Sequence, residues 1–166
     1  MLLFQLSFAG WKKKILVPLI STLPSIQDND IVEYDELWSF VHDKNNKQWL
    51  WLAVLRRTGH TIAYHIGARD YVAFQQLYSK VPPPYKKCQS RSDFWEVYDN
   101  LPKRLHSMCG KEEGETFMVE ATNNALRQRV GRLVRKTCSF SKSLQNHEKV
   151  IGLFLQERNM ELSSVK

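Results

Sequence analysis

The run "IVEYDELWSF", residues 31–40, decides how this chain is read, because it is strand-like yet carries Glu33, Asp35 and Glu36 between an aliphatic start and an aromatic end. Tyr34, Leu37, Trp38 and Phe40 place apolar side chains on both faces, which marks a central strand buried on both sides. A carboxylate there needs a compensating partner. Left alone it costs several kcal/mol or takes up a proton, whereas a divalent metal stabilises its ionised form. An arginine partner, or a place at an exposed strand end, would satisfy Asp35 as well, and the run by itself favours that plainer reading.

Working outward, the polar turn "HDKNNK" leads to "QWLWLAVL", and the turn "RRTGH" leads to "TIAYHI". These are three strands joined by short connections, an antiparallel meander. The period then changes. In "DYVAFQQLYSKV", Asp70 is a fair N-cap and Tyr71, Phe74, Tyr78 and Val81 recur at helical spacing until "PPP" ends the helix. "YKKCQS" reads as a fourth strand, "DFWEVYDNL" as a short helix and "RLHSM" as a fifth strand. A long helix is expected over about 119–136, with Leu126, Val130, Leu133 and Val134 on one face, and a last one over about 142–158. Residues 1–30, broken by Pro18 and Pro24, look poorly organised, and 159–166 read as a tail. This order matches an α/β, RNase H-like layout: a mixed five-stranded sheet with flanking helices.

Composition is that of one ordinary globular domain, 43% hydrophobic in 166 residues. The net charge of +7 is unevenly placed: residues 28–43 hold six Asp/Glu and no Lys/Arg, and residues 121–142 hold six Lys/Arg and no Asp/Glu. An acidic site beside a polyanion-binding surface accounts for that separation, as does a solvated basic helix. Cys88, Cys109 and Cys138 form no C-x-x-C and join no zinc-like histidine spacing, which predicts a reduced intracellular protein without structural zinc. The apolar start "MLLFQLSFAGW" has no leading basic region and is too short to span a bilayer, so neither export nor membrane insertion is expected from it.

Two further carboxylates bear on Asp35. Asp93 follows the fourth strand and opens a helix, and taken alone it reads as an N-cap. Glu120 opens the long basic helix, where a first-turn acid complementing the helix dipole is common; Asn123 and Arg127, three and seven positions on, project from the same face. Two aspartates at strand ends and a glutamate on a later helix are together what two-metal phosphoryl chemistry requires. Hard cations such as Mg²⁺ take oxygen ligands, and a pair roughly 3.5–4 Å apart clamps the attacking and leaving oxygens of an in-line displacement.

The segments "DELWSFV", "WLWLAVLRRT", "SDFWEVY" and "GKEEGETFMVEATNNALRQRVGRLVRKTCSFSKSLQNHEKVIGLFL" resemble, in order and across nearly all of 31–158, the InsB-type catalytic portion of insertion sequence 1 family transposases. The run "LRQRVGRLVRKTCSFSKS" is the most distinctive piece. The resemblance implies a DDE triad at Asp35, Asp93 and Glu120, a phosphate-binding role for Arg127, and Mg²⁺ as cofactor with Mn²⁺ able to substitute. It implies cleavage at element ends followed by transfer of the freed 3′-hydroxyl to target DNA, in a bacterial, cytoplasmic, nucleoid-associated setting. Asn123, Arg129, Arg132, Arg135, Lys136 and Lys142 are candidate DNA contacts. At least two protomers would hold two DNA ends, and an upstream DNA-binding segment or fusion would supply end recognition. Around the glutamate, Phe117, Met118, Ala121 and Thr122 stand where relatives carry Asn, His, Arg and Trp. Two readings therefore stay open: an active transposase domain, and a DNA-binding remnant that no longer cuts.

Overall fold

The computed structural model describes residues 16–134 and 138–164. Strands β1 (Ile31–Phe40), β2 (Lys47–Leu55) and β3 (Thr61–Gly67) form the expected antiparallel meander. Helix α1 (Tyr71–Lys80) follows, then β4 (Gln89–Ser92), β5 (His106–Met108), α2 (Phe117–Arg129) and α3 (Leu144–Ser164). The sheet is mixed and five-stranded, in the order β3-β2-β1-β4-β5, with β4 and β5 parallel to β1.

The two-residue period of β1 sends alternate side chains into two separate cores. Val32 and Tyr34, with Trp51, Ala53 and Leu55 of β2, pack under Ala73, Phe74 and Leu77 of α1. Leu37, with Leu50, Leu52 and Val54, packs under Val119 and Leu126 of α2 and Ile151 and Leu155 of α3. The strand is buried on both sides, as its composition requires. Trp51 is fully buried, stacked on Trp95 with centroids 5.3 Å apart. Gly152 lets α3 lie close against β3: a Cβ there would collide with the Tyr64 hydroxyl and crowd Leu16. Gly152→Ala is expected to cost about 1–3 kcal/mol of stability through overpacking, measurable by urea denaturation; an unchanged midpoint would mean the helix shifts freely.

Asp70 caps α1, its Oδ1 accepting from Ala73 N at 2.8 Å, but Leu77 and Ala73 rather than the exposed Tyr71 fill the buried stripe. The helix expected over 119–136 stops at Arg129. Val130 is extended, and residues Gly131–Leu133 make a 3-10 turn that still buries Val130 and Leu133. The apolar spacing persisted through a change of backbone, so periodicity could not register the break that Gly131 signalled. The helix expected to open at Asp93 is a 3-10 turn over Glu96–Asn100. Helix α3 continues past 158, and its buried Asn159 bonds both backbone groups of Thr61 and the Thr22 hydroxyl. Within 16–30, residues Leu19–Thr22 form a 3-10 turn and Asp30 pairs with Arg57 at 2.7 Å.

Candidate active site

β4 pairs with β1 only along Ile31, Val32 and Glu33. Beyond Glu33, β1 runs on while the chain leaves β4 at Ser92, so the middle of β1 lies beside the carboxyl end of β4. The carboxyl ends of parallel strands are where open α/β sheets hold ligands. Carboxylate oxygens of Asp35, Glu36 and Asp93 here lie within 4.8 Å of one another.

The three acids of β1 have different fates. Glu33 is fully buried and structural: it accepts from Arg56 Nε at 2.6 Å and from Val119 N, in the first turn of α2, at 2.7 Å. Glu36, on the opposite face, takes Arg69 Nη2 and Nε on Oε1 at 2.6 and 3.0 Å and the Tyr98 hydroxyl on Oε2 at 2.9 Å. Burial raises its pKa, against the lowering effect of Arg69 and Tyr98. Asp35 points to α2, where Asn123 Nδ2 donates to its Oδ2 at 2.6 Å. Among the described residues no salt bridge reaches Asp35. Burial, reinforced by the nearby charges of Glu36, Asp93 and Glu120, pushes its carboxyl up to about 7. The arginine partner that would have made Asp35 merely structural belongs instead to its neighbours.

Asp93 acts as a turn cap, Oδ1 accepting from Trp95 N at 3.1 Å, and its Oδ2 carries no hydrogen bond among the described residues. Glu120 is exposed, accepts from Thr116 Oγ1 at 3.1 Å, and stays outside the close carboxylate set. Asn123 is 7% exposed and its Oδ1 is buried without a partner. Its amide is turned inward, toward Asp35. The buried amide oxygen of Asn123 and the carboxylates of Asp35 and Asp93, which pair with no cationic side chain among the described residues, form an all-oxygen donor set that fits a hard divalent ion.

The basic residues spread out more than a continuous helix would place them. Arg127 donates to Leu133 O at 3.3 Å, closing the turn after α2, and Arg132 donates to Ser141 Oγ at 3.2 Å. Exposed Arg129 is 3.6 Å from Glu161, Lys142 is exposed, and Arg135 and Lys136 lie outside the described residues. Ser141 pairs with Val41 beyond β1, and the buried His147 bonds both Ser39 Oγ at 3.0 Å and Ser141 Oγ at 2.7 Å, tying this basic stretch to the sheet. Arg69 and Tyr98 carry no mark in the sequence, and Glu36 is marked only as one of the three acids of β1. Strand alternation sends Glu36 away from Asp35, and only the end of β4, which brings Asp93 beside both, reunites them.

A family model described as IS1 transposase matches residues 30–161. The chain belongs to that family. The insertion element iso-IS1n protein InsB of Shigella dysenteriae is 40% identical over 128 residues, covering 76% of this chain and 95% of that protein. The IS1 2 protein InsB of Escherichia coli K12 is 33% identical over 130 residues, covering 78% and 75%. Among solved structures, a chain of the simian T-cell lymphotropic virus intasome in complex with PP2A regulatory subunit B56 gamma matches with a TM-score of 0.53 at 13% identity, over 80% of this chain and 49% of that one. This chain therefore spans about half of that one, and the likeness establishes the RNase H-like fold. No helix among the described residues of this IS1-family transposase is long and apolar enough to cross a membrane.

Proposed function

We propose that this IS1-family transposase cuts and rejoins DNA at a DDE site made by Asp35, Asp93 and Glu120, with residues 31–158 as the catalytic unit. The observation that carries this is Asp35: a partly buried carboxylate close to Asp93, without a cationic partner among the described residues, beside the orphaned Oδ1 of Asn123. Asp35 and Asp93 would hold two divalent ions, with Glu120 joining from the same face of α2 that presents Asn123. When bound, such ions supply charge that stabilises the five-coordinate phosphate and acidifies the attacking water.

The chain's own groups do the positioning. Asn123 Nδ2 fixes Asp35 Oδ2, and Trp95 N fixes Asp93 Oδ1 while Oδ2 carries no hydrogen bond among the described residues. Glu33 locks the first turn of α2 to β1, which sets the height of Glu120 and Asn123 along the strand. No covalent enzyme intermediate is needed, so the chemistry requires no Ser or Cys nucleophile. Arg127 in the last turn of α2, Arg132 in the turn that follows and Lys142 just before α3 would bind backbone phosphates. The partners are element-end and target DNA, a second protomer, and an upstream DNA-binding segment.

Calorimetric titration of Mg²⁺ and Mn²⁺ into the purified protein, followed by nicking of element-end duplex, tests this. Because Asp35 is held up to about 7, a proton must leave before it can ligate. Apparent affinity should fall about tenfold per pH unit below 7 and level off above it. A metal-independent protein that still binds DNA in a salt-dependent way would establish the remnant, the reading that Glu120's place outside the close set favours.

A further inference from the structure

Arg69 lies in the short link between β3 and α1, with nothing in its sequence surroundings to mark it. Its guanidinium stands 4.7 Å from the ring centroid of Trp49 and 4.4 Å from that of Trp95, between two indoles. Nε and Nη2 are both spent on Glu36 Oε1, whereas Nη1 makes no hydrogen bond among the described residues. The seat is inward, the Glu36 side chain being 4% exposed, but the arginine side chain is 44% exposed. Glu36 in turn reaches Asp93 within the carboxylate cluster.

A counter-ion for a buried glutamate does not need two aromatic walls. This arginine is fixed by stacking and by a forked hydrogen bond, so little side-chain entropy remains to be lost when it binds something else. It keeps one donor edge and nearly half its surface toward solvent, at the border of an acidic site whose substrate is a polyanion. Guanidinium is also the group best matched to phosphate oxygens. The geometry points to Arg69 as a phosphate-positioning residue, seated on Glu36 between Trp49 and Trp95, that grips a DNA phosphate next to the one being cut. Glu36 then serves as the seat for this cation, leaving Asp35 and Asp93 as the open oxygens of the cluster. The inference rests on the proposed DNA-cutting role of that cluster.

The test compares wild type with Arg69→Ala, Arg69→Lys and the double variant Arg69→Ala/Glu36→Gln, which leaves no unpaired buried carboxylate if the single change unfolds the protein. Binding of duplex DNA is measured in Ca²⁺ over a salt series, nicking in Mg²⁺, and Mg²⁺ affinity without DNA by calorimetry. Arg69→Ala and the double variant should each lower the slope of log K against log salt by about 1 and slow nicking by about 10- to 100-fold. Arg69→Ala should bind Mg²⁺ at least as tightly as wild type, since a cation beside the cluster has gone. Arg69→Lys should restore the slope but not the nicking rate, because it lacks the fork and the stacking plane. An unchanged slope in both alanine variants, or loss of Mg²⁺ binding in both, overturns the assignment. Failure of the active-site reading shows separately, as a wild type that neither binds Mg²⁺ nor nicks DNA.

Discussion

Asp35→Asn and Asp93→Asn are each expected to abolish divalent-metal binding and to slow strand cleavage by at least about 10³-fold, equivalent to about 4 kcal/mol in the barrier. Both changes keep side-chain shape and remove charge. At Asp35 the new amide oxygen can still accept from Asn123 Nδ2, so the link between β1 and α2 survives. The fold should not suffer, because the wild-type carboxyl is already held up to about 7 by burial among other acids. A group whose folded-state pKa lies above its unfolded value lends stability at low pH and loses it as pH rises through the folded value. At pH 8, without metal, Asp35→Asn should therefore melt at or above the wild-type temperature. Loss of cleavage with an undiminished melting temperature is the signature of a ligand. Cleavage lost together with stability would make Asp35 a structural residue. Glu120→Gln, on an exposed side chain, should also stop cleavage without altering stability. Full cleavage in that variant would remove Glu120 from the triad.

How far the sequence revealed this site follows from the distances involved. The strand "IVEYDELWSF" was legible because burial on both faces leaves a composition mark that needs no tertiary knowledge. Asp70 as a cap and "PPP" as a stop were legible because both act within a few residues. The positions of Asp35 and Asp93 came from order and resemblance, and the structure brings these two together. What sequence could not show is which acid meets which cation. Glu33, Asp35 and Glu36 are chemically alike and nearly adjacent. Their separation into a structural, an unpaired and an arginine-seating carboxylate depends on Arg56 and Arg69, 23 and 33 residues away from their partners. The end of α2 escaped for a different reason. Val130 and Leu133 stay buried through a change from α to 3-10 backbone, so the apolar spacing reads the same on either side of the break.

Arg56→Ala is expected to destabilise the protein by about 3–5 kcal/mol, the usual cost of removing one partner from a buried ion pair. Glu33 is fully buried, and without Arg56 only Val119 N, among the described residues, would remain to offset its charge. Arg56 also reaches past Glu33: Nη1 donates to Glu115 Oε2 at 2.8 Å, Nη2 to the Glu115 carbonyl, and the guanidinium lies 5.6 Å from the Phe117 ring centroid. One side chain thus joins β1, the turn after β2 and the approach to α2. Glu33→Gln should cost distinctly less, because a neutral amide still accepts from Val119 N and leaves no buried charge. The double variant Arg56→Ala/Glu33→Gln should recover much of the loss, a non-additivity that urea denaturation of the four proteins would read directly. Losses that simply add would mean that Arg56 acts through Glu115 and Phe117 alone. The same pair bears on chemistry, since it fixes the first turn of α2, and Glu120 and Asn123 ride on that helix. Arg56→Ala, assayed at a temperature where it is still folded, should therefore bind metal more weakly than wild type, although Arg56 itself touches none of the proposed ligands.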